Sequence, residues 1–270
     1  MTDTLAPDLR VVLAPNPGMM TGPGTNQYLV GRADALAIDV AALDAENRRR
    51  FDAAGAPVRA IALTHVHVDH VGGALAARDA FAAPIAVHAR HAAATSGGCP
   101  LVPDRLLSDG DEIAFDGGRL RVLHTPGHES GHCCFYEPER RWLFTGDTIL
   151  STGTTVIAPP DGDMRAYLAS LERLATLALD RIFPGHGPPI ERPYEKIAEY
   201  LAHRRLREAQ ILDALAAGLD RIDTVVARLY ADVSPLLHGM AALTVRAHLD
   251  KLLAEGCVVE TPDGRFTRRG

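Results

Sequence analysis

The stretch Ile61–Gly73, IALTHVHVDHVGG, constrains this chain more than any other. An apolar run of strand type leads directly into His65, His67, Asp69 and His70, and then into paired glycines and a helix-forming segment. Alternate residues of a strand share a face, so His65 and His67 can point the same way where the run ends, with Asp69 and His70 in the turn that enters a helix near Gly72. A lone imidazole at a strand end is ordinarily a hydrogen-bonded structural group. Four donor side chains crowded together call for a shared partner, and a divalent cation suits imidazole and carboxylate donors. Two histidines do not complete a catalytic zinc site, which takes about three protein ligands and an open position for water. The fold must therefore carry other ligands to this strand end.

Three later segments offer them. HTPGHESGH, FTGDT and FPGHG each place a ligand-type residue beside glycine, which permits close backbone approach, and each follows a strand-like run. Further strand-like runs at LRVVLA, TNQYLV, ALAIDV, PIAVHA, DEIAF, LRVLHT and HCCFYE alternate with helical patterns over residues 42–54, 72–82 and 163–179. This mixture predicts an α+β fold of packed sheets with helices outside, and a site at the strand ends. From Pro193 to about Gly218 the pattern becomes one long helix, in which Arg204 and Glu208 stand at pairing distance. Two further helices, DTVVARLY and MAALTVRAHLDKLLAEG, and a hairpin about the PDG turn complete the outline of a winged-helix module, with Gly256 as the last helix's cap. The expected domains are residues 1–200 and residues 201–270.

Taken in order, THVHVDH, TPGH, GD and PGHG resemble the signature of the metallo-β-lactamase superfamily, and the set spans residues 64–187. The resemblance implies a four-layer αββα sandwich with a binuclear zinc site between the sheets, two Zn2+ per chain. Carried over residue by residue, His65, His67 and His128 hold one ion, Asp69, His70 and His186 the other, and Asp147 bridges them. It further implies a metal-bridging hydroxide as nucleophile, with Asp69 as the catalytic residue that steers the proton. His132, His124, His88 and His91 read as structural, and His238 and His248 lie in the helical tail.

NPGMMTGPGTNQYLVG, GDTILSTGTTVI, PGHGPPI and KIAEYLAHRRLREAQIL are similar to the β-lactamase-like protein 2 group, whose animal members are endoribonucleases. That likeness implies single-stranded RNA as substrate, and an endoribonuclease is the leading expectation. GHESGH, with Glu129 after His128, instead resembles the glyoxalase II and lactonase branches and implies a small thioester or lactone. A single-iron, persulfide-oxidising variant of the superfamily ranks low because His70 and His186 are both present. A nucleic-acid or partner-binding scaffold with a vestigial site ranks below the hydrolases. Met19 and Met20 are expected to form an apolar flap and Thr154 and Thr155 to donate hydrogen bonds to substrate, while Arg204, Arg205 and Arg207 are expected on a solvated helix face.

Charge bears on these alternatives. The net charge is −6, and residues 201–270 carry ten Lys/Arg against nine Asp/Glu, so the main body is acidic. Such a body does not favour sequence-blind nucleic-acid binding, whose affinity comes largely from neutralised phosphates. Four cysteines without CxxC spacing read as reduced thiols. The start, MTDTLAPDLR, lacks a secretory pattern and no run approaches a membrane span, so a cytoplasmic protein without membrane partners is expected.

Overall fold

The computed structural model describes residues 2–96 and 98–269, and the chain divides into two compact units. The first comprises Met1–Thr125, Gly131–Gly153 and Ala178–Pro193; the second comprises Pro126–Ser130, Thr154–Leu177 and Tyr194–Gly270. The second unit thus borrows two segments from within the stretch that the sequence groups as the main domain.

The first unit holds a seven-stranded and a five-stranded sheet. In the larger, Thr2–Ala6, Leu9–Leu13, Asn26–Val30 and Ala35–Ile38 run antiparallel in succession; Val58–Ala62, Ile85–His88 and Arg105–Leu107 then add in parallel. In the smaller, Glu112–Phe115, Gly118–His124, Cys133–Glu137 and Trp142–Gly146 are antiparallel, and Arg181–Pro184 lies parallel to Trp142–Gly146. One face of the larger sheet packs Leu29, Ala37, Ile61 and Ile85 against Phe51 of helix Ala45–Ala53 and against Ala74 and Ala77 of helix Ala74–Phe81. Its other face sets Tyr28, Val30 and Ile38 against Val122, Phe135, Phe144 and Phe183 of the smaller sheet. Each such aromatic or branched side chain contributes about 1.5–3 kcal/mol by leaving water, so the sheets hold the strand ends firmly. The Tyr28 hydroxyl also donates across the sheets to the Pro184 carbonyl at 2.8 Å. The α+β class and the two-sheet sandwich stand as expected, and none of the four cysteines is in a disulfide.

The second unit contains helix Met164–Ala175, the long helix Pro193–Ala216, helices Ile222–Leu229 and His238–Ala254, and the hairpin Val258–Glu260 with Phe266–Arg268. Ile211, Leu215, Val225, Val226, Val245, Leu249, Val258 and Phe266 form its core, so the winged-helix outline is a packed module. Gly256 takes φ +73° just past the last helix, a left-handed residue that glycine adopts without strain. The Arg204–Glu208 pair does not form. Arg204 is only 2% exposed and faces inward, while Glu208 accepts from Lys251 Nζ at 2.7 Å. Among the described residues no helix is long and apolar enough to cross a membrane.

Candidate metal centre

The strand Val58–Ala62 stops short of the histidines, so strand alternation does not aim them. His67 instead caps a one-turn helix, Val68–Val71, that holds both Asp69 and His70. The turn closes through His70 N–H on the His67 carbonyl at 2.9 Å. His65 therefore lies on the approach and Asp69 and His70 in the turn, with the ring centroids of His65 and His70 4.1 Å apart.

Asp147 follows strand Trp142–Gly146 and His186 follows the parallel strand Arg181–Pro184. Both stand at carboxyl ends of parallel strands, as His65 does in the other sheet, which is where open α/β sheets place ligands. His70 Nε2 lies 3.2 Å from Asp147 Oδ1, 3.6 Å from Asp69 Oδ2 and 3.3 Å from His186 Nε2. His186 Nε2 lies 3.2 Å from Asp69 Oδ2 and 3.4 Å from Asp147 Oδ1. The donor atoms of His65, His70 and Asp147 also lie within 4.8 Å of one another, as do those of Asp69, His70 and His186. These clusters fit a metal site. Asp147 belongs to the first cluster and lies 3.4 Å from His186 of the second.

The imidazoles are anchored alike through Nδ1. His70 Nδ1 donates to Asp39 Oδ2 at 2.7 Å, and His186 Nδ1 faces the Gly24 carbonyl at 3.5 Å. The Thr64 hydroxyl gives its single proton to Asp39 Oδ2 at 2.8 Å, so it accepts from His65 Nδ1 at 2.9 Å. A proton held on Nδ1 leaves the Nε2 lone pair for a cation, as in carboxylate–histidine–metal arrangements. Asp39 also accepts from Thr64 N–H at 2.7 Å.

Asp39 and Asn26 support the cluster by hydrogen bonds and are not singled out by the sequence. Asn26 Nδ2 donates to the carbonyls of Pro184 at 2.9 Å and Gly187 at 2.7 Å, bracketing His186. His132 is fully buried, and its Nε2 accepts the Asp147 backbone N–H at 3.2 Å. Two glycines make room for the centre. A Cβ at Gly146 would lie 2.6 Å from Thr64 Oγ1, and one at Gly185 would lie 2.7 Å from Asp147 Oδ1.

The charges are mutually dependent. Burial opposes an imidazolium at His70, yet Asp147 and Asp39 hold it well above the ordinary histidine range. Burial likewise opposes charge on His186, but hydrogen bonds to Asp147 and Asp69 carry it up to about 9. Burial would raise Asp147; the charges of His70 and His186 outweigh that and hold it well below the carboxylate range. Asp69 is lowered too, burial being outweighed by its hydrogen bond to His186.

A histidine whose folded pKa is raised stabilises the fold fully below its unfolded value, near 6.5, and loses that contribution as pH rises through the folded value. Metal-free protein is thus expected to lose thermal stability from about pH 6.5 to pH 9, as His186 deprotonates. A series of melting temperatures across that window checks this, and a flat or rising series contradicts it.

The donor atoms of His65 and His67 also lie within 4.8 Å of one another, the closeness the sequence leads one to expect. His67 is exposed, and its ring centroid lies 4.8 Å from that of His65. His128 belongs to the second unit, half-buried, with Nδ1 donating to the Val156 carbonyl at 2.8 Å, the same anchoring as the other imidazoles. Met19 and Met20 are exposed at 65% and 51%. Thr154 is half-buried, whereas Thr155 is buried with its carbonyl taken by Arg204. His88 and His124 stack at 4.1 Å, and His238 bonds the carbonyls of Tyr230 and Val233.

The chain is thus an α+β protein with a two-sheet sandwich whose strand ends carry histidine and carboxylate clusters that could hold metal. Residues 20–186 match the family model of the Metallo-beta-lactamase superfamily, and residues 222–267 match that of the beta-lactamase associated winged helix domain. The chain belongs to the metallo-beta-lactamase superfamily. It is 35% identical over 262 residues to a Beta-lactamase-like protein 2 homolog of Caenorhabditis elegans, covering 93% of this chain and 85% of that protein. It is 32% identical over 260 residues to the Atrochrysone carboxyl ACP thioesterase of Aspergillus fumigatus, covering 86% and 78%. A solved metallo-beta-lactamase family protein from Thermus thermophilus superposes with a TM-score of 0.83 at 25% identity, covering 98% of this chain and 100% of that one.

Proposed function

We propose that the protein is a hydrolase that works with two zinc ions. The observation that carries this reading is the convergence of His70 Nε2 and His186 Nε2 on the carboxylates of Asp69 and Asp147 within 3.6 Å. In this reading His65, His67 and His128 hold one ion, Asp69, His70 and His186 hold the other, and Asp147 serves both. Nitrogen and carboxylate donors without thiolate suit zinc at a catalytic site. Such ions supply an activated water and polarise the oxygen of the scissile group. Asp39 and Thr64 keep the imidazoles facing inward, and His132 holds the Asp147 backbone. Asp69, with a quarter of its side chain exposed, stands where it can take a proton from water and pass it to a leaving group.

The substrate we favour is a thioester or a related carbonyl ester. The thioesterase relative supports this, and so does charge. Residues 222–267 carry four Lys/Arg against six Asp/Glu. Moreover, Arg246 is clamped by Glu260 at 2.8 and 3.0 Å and by Asp250 at 2.7 Å. Little positive charge remains in that stretch to neutralise phosphates. Exposed Met19 and Met20 would cover an apolar acyl chain, and Thr154 would meet its polar end. Single-stranded RNA is the rival, on the likeness to the Beta-lactamase-like protein 2 homolog.

Zinc-loaded protein should be offered an acyl thioester, a lactone and single-stranded RNA at low salt. Thioester turnover that a chelator abolishes is the expected result. RNA cleavage without thioester turnover would reverse the substrate assignment, and no chelator-sensitive turnover of any of the three would remove the hydrolase reading.

A further inference from the structure

Arg204 sits on the long helix Pro193–Ala216, whose later residues Ile211, Ala214 and Leu215 belong to the winged-helix core. It is 2% exposed, and its only hydrogen bond among the described residues goes from Nη2 to the Thr155 carbonyl. Its guanidinium lies over the Tyr167 ring, 5.2 Å from the centroid, and its Nε has no acceptor among the described residues. An arginine buried with so few partners carries a desolvation cost, so the fold gains little stability from it. What it does is fix a carbonyl.

That carbonyl adjoins the one that aims His128. The Thr155 and Val156 carbonyls belong to successive peptide planes joined only through the Val156 Cα, so holding the first restrains the second. The Val156 carbonyl receives His128 Nδ1 at 2.8 Å. The backbone just before His128 is held by the helix that carries Tyr167 and by that helix's cap, Asp163. Asp163 N–H donates to the Gly127 carbonyl at 2.8 Å, and Ser170 Oγ donates to the Pro126 carbonyl at 2.7 Å. A Cβ on Gly127 would lie 2.3 Å from Tyr167 Cα, so the turn has no slack on that side. Arg204 touches both supports, the Tyr167 ring on one side and the Thr155 carbonyl on the other.

We infer that Arg204 is a positioning residue for His128, through which the helix leading into the winged-helix module sets the ring that completes one metal site. The inference rests on the zinc assignment of His128 above. It gives the module a role in metal retention that requires no nucleic acid.

The test is competition for zinc between the full-length protein and a chelator of known affinity, with wild type, Arg204→Met, Arg204→Lys, His128→Asn and the Arg204→Met/His128→Asn double variant. Arg204→Met is expected to weaken one of the two classes of bound zinc by about 10-fold to 100-fold, the range for partners that orient metal ligands. The other class stays at wild-type affinity. His128→Asn should weaken the same class, and the double variant should be no weaker than His128→Asn alone, because the two residues act in series. Arg204→Lys, which can reach the carbonyl but not lie flat on Tyr167, should fall between wild type and Arg204→Met.

Wild-type zinc affinity in Arg204→Met overturns the inference, and so do losses that add in the double variant. If His128→Asn retains both classes unchanged, the zinc assignment itself has failed and the inference falls with it. Should Arg204→Met give no folded protein, Arg204→Lys decides: weakening confined to the His128 class supports the inference, and wild-type binding overturns it.

Discussion

Asp147→Asn is expected to lower hydrolytic turnover by on the order of 10³-fold, since it removes a carboxylate that lies 3.2 Å from His70 Nε2 and 3.4 Å from His186 Nε2 and, in the proposed function, serves both ions. The substitution preserves side-chain size, so the backbone hold of His132 on residue 147 survives. The cause can be read separately from activity. Asp147 is a principal reason that His186 stands at about 9, so in metal-free Asp147→Asn that value should fall toward the ordinary histidine range. Turnover of zinc-loaded protein and an NMR titration of the His186 ring check the two halves. A loss below tenfold with both ions retained would take Asp147 out of the reaction.

Asp39→Ala carries the second large effect. Asp39 is 2% exposed and accepts from Thr64 N–H, Thr64 Oγ1 and His70 Nδ1. Removing its carboxylate takes away one of the two carboxylates that support the buried His70 imidazolium and leaves unsatisfied donors on His70 and Thr64, a loss on the order of 3 kcal/mol in metal-free protein below neutral pH. Asp39 also adopts φ +61°, a left-handed conformation that asparagine tolerates and alanine does not. Asp39→Asn should therefore unfold much closer to wild type, yet still bind zinc about 10-fold to 100-fold more weakly, because an amide cannot fix the His70 tautomer as a carboxylate does. Denaturant unfolding and chelator competition separate these outcomes. Equal stability of Asp39→Ala and wild type would refute the account.

How much of this is legible in the sequence follows from where each residue's partners lie. His65, His67, Asp69 and His70 announce themselves because their donors crowd one short segment, and Asp147 and His186 because each adjoins a glycine at a strand end. The way the first segment presents its donors is not legible. Strand alternation predicts that His65 and His67 point the same way, and their donors do lie within 4.8 Å of one another, but the strand ends at Ala62 and a turn, not alternation, brings them there. Asp39 is invisible because its role depends on register: Ala35–Ile38 runs parallel to Val58–Ala62, so both carboxyl ends emerge together. An isolated acid closing the apolar run ALAI is the available signal. Arg204 escapes for a related reason. Spacing along one helix pairs it with Glu208, whereas tertiary packing turns it onto Tyr167 and Thr155. The edge strand Thr2–Ala6 goes unmarked because TDTLA is short and mostly polar, with no apolar alternation to signal it.

The strand arrangement has a mechanical consequence. His65, Asp69 and His70 hang from one sheet, Asp147 and His186 from the other, and the Tyr28 hydroxyl stitches the two sheets beside the Pro184 carbonyl. A cation gripped by both sets acts as a clasp between sheets otherwise joined by apolar contact and a few hydrogen bonds. At a free concentration 100 times its dissociation constant it adds about 2.7 kcal/mol against their separation. In the proposed function the metal centre and the seam of the sandwich are thus the same place, and whatever strips the metal would also loosen the sheets.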